Sequence, residues 1–171
     1  NSAGVSGWNV LGSGAWNSGG NWSATVPNAP GNEADFFASI ASPQTVYTNT
    51  PITVGTLHFN NSSTYVLAGA GSLTLQAVTG AQATLQVDQG AQEINLPLTI
   101  ASDTSFNVAS GATLLISDPI TINSGIDLTQ AGGGTVSYQS LITVQSGGSI
   151  AFGNSSTASA LSLSSAATAS I

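Results

Sequence analysis

The sequence predicts an all-β protein that folds as a right-handed parallel β-helix, a solenoid of about five to six coils. Lys, Arg and Met, which favour helices, are absent from the chain. Val, Ile, Leu and Thr instead recur in short alternating runs that end in Gly, Asn, Ser or Asp, a pattern typical of strands and turns. Glycines precede several runs at intervals near twenty residues, about the length of one β-helix coil. The handedness follows from the general preference for right-handed crossovers.

The strand runs fill the centre of the chain, at 72–76, 84–87, 98–100, 106–108, 120–122, 141–144 and 149–152. The glycines that precede strands are Gly71, Gly90, Gly111 and Gly133, with Gly80 and Gly147 outside that register. Stacked coils would place Leu, Val, Ile and Phe inside and ladders of Thr, Ser, Gln and Asn outside. A β-sandwich is the alternative fold, but it explains only the strand spacing and not the glycine period.

The charge composition excludes several functions. The 171 residues contain no Lys or Arg and carry a net charge of −7, where an average composition would include roughly twenty basic residues. Nucleic-acid binding and anionic membranes are therefore not expected, because both require basic side chains. No apolar run approaches the ~20 residues of a membrane span. Sparse charge promotes association, and Asn1 in place of Met suggests a processed, secreted chain, although a trimmed one would look the same.

The composition divides the chain into three segments. Residues 1–43 are rich in Gly, Asn and Ser and contain Trp8, Trp16 and Trp22. Residues 44–153 carry the repeats, and residues 154–171 form a small polar segment whose bulky apolar residues are Leu161, Leu163 and Ile171. Solenoids require capped ends, so we interpret the tryptophans as an N-terminal cap; stacking on sugar rings is the alternative. The segment 154–171 has no cap composition and is predicted to be a last coil or tail.

Two phrases carry a family resemblance. Residues 128–138 read Leu-Thr-Gln-Ala-Gly-Gly-Gly-Thr-Val-Ser-Tyr, and residues 142–150 read Ile-Thr-Val-Gln-Ser-Gly-Gly-Ser-Ile. They resemble the autotransporter-associated β-strand repeat, whose phrase runs roughly Leu-Thr-Lys-x-Gly-x-Gly-Thr-Leu, with Gln130 in place of its Lys. The stretches 16–23, 27–37 and 54–59 are similar to the start of bacterial surface proteins that carry such repeats, including those with a PEP-CTERM sorting tail. The resemblance implies a β-helix at the bacterial cell surface or outside the cell.

His58 is the only histidine of the chain, so a Ser–His–Asp hydrolase would have to use it as its base. It lies between Leu57 and Phe59, and on a strand it would face outward while both neighbours face the core. We therefore interpret His58 as an outward ladder residue, in preference to a catalytic or metal-binding one.

Seven carboxylates complete the set of ionisable candidates: Glu33, Asp35, Asp88, Glu93, Asp103, Asp118 and Asp127. A glycosidase needs two carboxyl groups about 5 to 9.5 Å apart, and equivalent residues of adjacent coils lie about 4.8 Å apart. No two carboxylates of the repeat region are one glycine period apart, although the separation of Asp103 and Asp127 comes close to it. Most lie at the ends of runs, where Asp favours turns. An enzyme acting on polysaccharide is therefore not favoured, and no catalytic residue is predicted.

Calcium is the one cofactor that the residues suggest. Glu33 and Asp35, with nearby Asn28 and Asn32, are predicted to lie in a loop, and hard cations prefer such oxygen ligands. Their spacing is not that of an EF-hand, so the sequence defines candidate ligands and not a complete calcium site.

The function we expect is structural. The predicted protein is a subunit of an extracellular filament, matrix or surface layer that binds further copies of itself head to tail. Leu161, Leu163 and Ile171 of the last coil would contact a neighbour's first coil near Trp8, Trp16 and Trp22, because a heterologous contact of this kind makes filaments. The alternative is an adhesin or carbohydrate-binding module that uses the Trp-rich end or a polar ladder face.

Overall fold

The computed structural model describes residues 4–171, which form a three-sided β-solenoid of about six turns. All named strand pairs are parallel, and each strand between the two ends of the solenoid pairs with its equivalents in the preceding and following coils. The one helical element of the described residues is a 3-10 turn at Gly19–Asn21, and no helix among them is long and apolar enough to span a bilayer. The predicted solenoid is confirmed, and the β-sandwich alternative is wrong because its sheets would be antiparallel.

Face 1 of the solenoid is a sheet of eight strands. They are β1 (Val5–Gly7), β3 (Glu33–Phe36), β6 (Thr56–Phe59), β9 (Ala83–Val87), β12 (Thr104–Val108), β15 (Asp127–Ala131), β17 (Ser149–Ala151) and β19 (Thr168–Ser170).

Faces 2 and 3 share their last two strands, since β16 (Thr135–Val144) and β18 (Ser156–Leu163) bend around the corner between them. Face 2 also contains β2 (Gly14–Ala15), β4 (Gln44–Tyr47), β7 (Tyr65–Ala68), β10 (Ala91–Asn95) and β13 (Thr113–Ile116). Face 3 also contains β5 (Pro51–Val54), β8 (Ser72–Leu75), β11 (Leu98–Ile100) and β14 (Ile120–Ile122). Each complete turn of the solenoid therefore contributes one strand to each face.

The core is a set of apolar columns that run along the solenoid axis. Successive side chains of a strand point to opposite sides, so each short strand places one or two apolar residues inside. On face 3 one column contains Ile52, Leu73, Leu98, Ile120 and Ile142, which are buried and stacked in register. Because neighbouring coils supply the same kind of side chain, the core needs neither disulfides nor ion pairs.

Two glutamines depart from the predicted outward ladders. Gln92 and Gln130 point into the core and are buried, with exposures of 0% and 8%. Gln92 accepts a hydrogen bond from the Tyr65 amide and donates to the Asn61 carbonyl. The prediction that glutamines face outward is wrong at these positions. Gln92 supplies hydrogen bonds that the corner around Tyr65 and Asn61 would otherwise leave unmade, whereas the Gln130 carbonyl accepts from the Tyr138 and Ser156 hydroxyls.

The coils differ in length, so the regular spacing of the glycines does not mark one repeating position of the solenoid. On face 1, one column of equivalent residues is Glu33, Thr56, Thr84, Ser105, Thr129, Ala151 and Ser170. The coil from Thr56 to Thr84 is longer by about half than the coil from Ala151 to Ser170. Gly90, Gly111 and Gly133 precede strands of face 2, whereas Gly71 precedes a strand of face 3. The predicted column of four glycines is therefore wrong for Gly71.

The N-terminal end is closed by the three tryptophans. Trp8, Trp16 and Trp22 are 1–4% exposed and pack edge to face or tilted, with ring centroids 5.0–5.3 Å apart. Trp16 and Trp22 also pack on Phe36, whose ring stacks on Phe59 one coil further in. The aromatic cluster caps the first coils as predicted, and residues 1–3 of the predicted cap segment lie outside the described residues.

Side chains and loops of the N-terminal end also occupy the outer strand edges there. The Ser23 hydroxyl accepts a hydrogen bond from the Gly7 amide on β1, and the Ser23 amide donates to the Gly7 carbonyl. The Asn21 side-chain amide donates to the Ala15 carbonyl on β2. On β5 the Thr53 amide donates to the Asn28 side chain. Unpaired edges are templates for further strand pairing, and these contacts block the first strand of each face.

The solenoid begins before the boundary predicted at 44, and of the two alternatives predicted for residues 154–171, a last coil or a tail, the structure shows the coil. Strand β3 lies within the predicted cap segment and pairs in register with β6. At the other end, β18 pairs with β16 and β19 pairs with β17, so residues 156–170 form a further coil.

Candidate functional site

The charged side chains nearest one another lie on face 1, at the N-terminal end of the solenoid. Asp35, His58, Gln86 and Asn107 form one outward column in consecutive strands. Glu33 lies two positions before Asp35 on β3, on the same side of the sheet. The column brings together residues that are far apart in the sequence, because parallel coils place equivalent positions directly beside one another.

His58 is the centre of this cluster. Its Nδ1 atom lies 4.0 Å from a carboxylate oxygen of Glu33 and 4.0 Å from one of Asp35. Its Nε2 atom makes a 2.7 Å hydrogen bond with Oδ2 of Asp88, which follows β9. The side chains are partly buried, with exposures of 26% for His58, 32% for Glu33 and 14% for Asp35.

A chain of hydrogen bonds holds Asp88 against His58. The Gln86 amide donates to the other Asp88 oxygen at 2.6 Å, and Asn107 donates to the Gln86 carbonyl at 3.0 Å. The Phe37 ring meets the imidazole edge to face, with centroids 4.9 Å apart. The imidazole is therefore oriented from two sides, by a carboxylate and by an aromatic ring.

Burial and charge shift the acidity of two carboxyl groups. The pKa of Asp35 is raised from 3.8 to about 6, first by burial and then by the adjacent Glu33 carboxylate, with His58 opposing the rise. Burial alone would raise the pKa of Asp88, but hydrogen bonds from Gln86 and His58 and the attraction of His58 outweigh it and lower that pKa. The two carboxyl groups on either side of His58 thus differ in their readiness to ionise.

Two of the predicted calcium ligands do not lie in the loop that was expected to hold them. Glu33 and Asp35 lie on strand β3, so the prediction of a loop site for them is wrong. Asn28 and Asn32 do lie in the preceding loop, but their side-chain oxygens accept backbone hydrogen bonds from Thr53 and Asn28. His58 faces outward from its strand, as predicted. What the sequence did not indicate is that His58 meets the two acids.

The remaining carboxylates do not join this cluster. Asp103 and Asp127 lie beside one another in adjacent coils, and the Asp127 amide donates to Oδ1 of Asp103 at 3.0 Å. Asp127 also accepts a hydrogen bond from Ser149. Glu93 lies on face 2, and Asp118 lies in the turn before β14. These roles agree with the prediction of turn and cap positions for Asp103, Asp118 and Asp127.

The C-terminal coil exposes residues whose equivalents are buried elsewhere. Leu161 and Leu163 continue the inward columns of Ile142 and Val144, yet they are 40% and 47% exposed. Ile171 is 95% exposed. Strands β18 and β19 have no partner on their outer edges among residues 4–171. The predicted assembly residues of this end are therefore accessible, whereas Trp8, Trp16 and Trp22 at the other end are buried.

A groove of about 560 Å³ lies at the corner between face 3 and face 1. Its lining includes Gln76, Val78, Gln82 and Asp103. The groove exists because the turn between β8 and β9 is longer than its neighbours, and it offers both amide and carboxylate groups to a ligand.

Similarity to known proteins does not assign a function to this chain, so its fold and the sites described above are the basis for inferring one. No family model, no curated protein and no solved structure matches this chain. The resemblance to autotransporter-associated repeats stays a prediction.

Proposed function

We propose that this protein is a structural subunit outside the bacterial cell, which self-associates through its C-terminal coil to build a filament, matrix or layer. The observation that carries the proposal is the open coil of β18 and β19, which exposes core-type leucines beside unpaired strand edges. Native proteins normally protect such edges with charges or covering loops.

The charge distribution supports association at this end. Residues 128–171 contain no Asp, Glu, His, Lys or Arg. Two such coils can approach without placing charged side chains of these segments against one another, and contact between them buries Leu161 and Leu163 while pairing backbone groups of the edges. The proposal needs no catalytic group, in keeping with the expected absence of enzymatic activity.

The neighbour's contact surface is proposed to be a second C-terminal coil. The head-to-tail arrangement expected from the sequence requires free edges on the first coil, and those edges bind Ser23, Asn21 and Asn28. Contact between two C-terminal coils displaces no cap. It forms a closed pair, and growth into a fibre would require a second contact, for which the exposed Leu11 at the N-terminal end is a candidate.

Sedimentation velocity and negative-stain electron microscopy over a range of protein concentrations test the proposal. We expect concentration-dependent dimers or larger assemblies for the wild-type chain and monomers for the double variant Leu161→Asp, Leu163→Asp. The matched control is Leu11→Asp, which adds a charge at the 83% exposed leucine of the other end.

Each outcome has a definite meaning. Dimers that survive Leu11→Asp support contact between C-terminal coils, whether or not fibres persist, whereas a Leu11→Asp variant that stays monomeric supports the head-to-tail arrangement. A wild-type chain that stays monomeric at the highest concentration overturns the proposal. Circular dichroism of the double variant must show the wild-type strand content for its loss of association to count.

Carbohydrate binding is the second candidate function. The buried tryptophans offer no exposed ring for stacking on a sugar, so this candidate depends on a polar ladder face or on the groove lined by Gln76, Gln82 and Asp103. A glycan-binding screen of the same samples separates the two functions, because binding by a monomeric protein would favour an adhesin over a structural subunit.

A further inference from the structure

The cluster around His58 has an unbalanced charge. Three carboxylates, Glu33, Asp35 and Asp88, face one imidazole, which can carry at most one positive charge. The chain contains no Lys or Arg, so no other side chain of the protein can neutralise the acids. Adjacent like charges are unfavourable when partly buried, and a cation from solution would relieve the repulsion.

The donor atoms of the cluster converge on one point. One oxygen of Glu33, one oxygen of Asp35 and a ring nitrogen of His58 all lie within 4.8 Å of one another. We propose that Glu33, Asp35 and His58 bind a divalent transition-metal ion of the zinc class on face 1, with Asp88 holding the imidazole from behind. The inference is independent of the proposed self-association, since the cluster lies at the opposite end of the solenoid.

The hydrogen bonding of His58 leaves the correct nitrogen free. Nε2 is engaged with Asp88 at 2.7 Å, whereas Nδ1 makes no hydrogen bond within residues 4–171 and faces Glu33 and Asp35. Metal-bound histidines usually donate their second ring N–H to a carboxylate, which sets the tautomer and strengthens the ligand. Asp88, held in turn by Gln86, has this position.

The Asp35 carboxylate supplies a second, separate indication. Its Oδ1 atom is fully buried and has no hydrogen-bond partner among the described residues. Buried polar atoms nearly always have a partner, and this oxygen is the one that faces Nδ1 of His58. A metal ion between them would satisfy both atoms.

The mixed donor set distinguishes zinc from the calcium suggested by the sequence. Imidazole nitrogen suits zinc and related ions, whereas calcium takes oxygen ligands. Tetrahedral zinc with bonds of about 2.0–2.1 Å places its ligands about 3.3 Å apart. The 4.0 Å separations of Nδ1 from the two carboxylates can close by side-chain rotation on rigid strands, and the fourth position stays available to water.

Isothermal titration of the untagged chain with zinc chloride measures the binding. We expect one site per chain, weakened roughly 100-fold or more by His58→Gln and by Glu33→Gln, and roughly 10- to 100-fold by Asp88→Asn. The matched control is Glu93→Gln on face 2, which makes the same chemical change away from the cluster and should leave the affinity within about twofold. Calcium chloride in place of zinc should bind at least about 100-fold more weakly.

Imidazole NMR gives a readout that a nonspecific acidic site cannot imitate. Because His58 is the only histidine, its ring nitrogens can be assigned without ambiguity, and zinc should shift the Nδ1 signal while Nε2 stays protonated. Zinc binding that is unchanged in His58→Gln, ligation through Nε2, or calcium binding tighter than zinc would each overturn the proposal. None of these results bears on self-association, which is measured separately.

Discussion

At the scale of single residues, Gln92 shows how a buried polar side chain stabilises an irregular corner. Its carbonyl accepts from the Tyr65 amide at 2.8 Å, and its amide donates to the Asn61 carbonyl at 2.8 Å. These backbone groups flank the loop before β7, within one of the two longest coils of face 1. Without Gln92 they would be buried and unpaired.

The variant Gln92→Leu should therefore lower the free energy of unfolding by about 3 kcal/mol, since each unsatisfied buried group costs about 1–3 kcal/mol. Chemical denaturation measures the change. Gln145→Leu is the control, because Gln145 is exposed and makes no side-chain hydrogen bond within the described residues; it should have an effect below about 0.5 kcal/mol. Equal losses in the two variants would contradict this role for Gln92.

The burial of apolar side chains was easier to predict from the sequence than the burial of polar side chains such as Gln92. Leu57 and Phe59 flank His58 in a clean alternation, so the outward position of His58 could be read from the pattern. Gln92 lies two positions before the buried Ile94 and therefore on the same side of its strand, so alternation alone would place it inside. Its polarity led to the opposite prediction, and the corner whose hydrogen bonds it supplies is formed by residues far from it in the sequence.

At the scale of elements, the turns between face 3 and face 1 contain a column of left-handed residues. Gly125, Gly147 and Ala166 occupy equivalent positions, with φ angles of 71°, 73° and 58°. Glycine adopts this conformation freely, whereas in other L-residues it costs roughly 1 kcal/mol or more. Ala166 is the single non-glycine residue with a positive φ among the described residues.

The variant Ala166→Gly should therefore stabilise the C-terminal coil by about 1 kcal/mol, and Gly147→Ala should destabilise the protein by about the same amount. A methyl group at Gly147 would meet its nearest neighbours at 3.9 Å, an ordinary contact, so backbone strain alone accounts for the loss. Thermal unfolding of both variants and of Gly19→Ala, an open position with ordinary φ, measures the contrast. A lower melting temperature for Ala166→Gly would contradict it.

Variable coil lengths explain why the cluster around His58 could not be found from the sequence. The predicted period was near twenty residues, but the step along the chain from Asp35 to His58 exceeds that period, and the step from His58 to Asp88 exceeds it by about half. Each extra loop residue shifts the register, and a shift of one residue turns a side chain to the other side of the sheet. The fold class can be predicted without exact coil lengths, whereas a site formed by residues of three coils cannot.

At the scale of the whole molecule, the two ends of the solenoid differ in stability. Each coil contacts only its neighbours, so stability is approximately a sum of coil and interface contributions. The first coils gain an aromatic cap of Trp8, Trp16 and Trp22, whereas the last coil has one neighbour and exposed side chains along almost all of β18 and β19. Local opening should therefore begin at the C-terminal end.

Hydrogen exchange measured by mass spectrometry tests this difference in stability between the two ends, and it also tests whether the C-terminal coil is the contact used in assembly. In dilute protein, backbone amides of β18 and β19 should exchange at least about 100-fold faster than those of β9 to β14, because local opening of an end coil requires less free energy than global unfolding. Raising the concentration should slow exchange in β18 and β19 alone, since the proposed contact covers their edges. Uniform protection along the chain in dilute protein would contradict the difference in stability, and concentration-independent exchange at β18 would place any association elsewhere on the molecule.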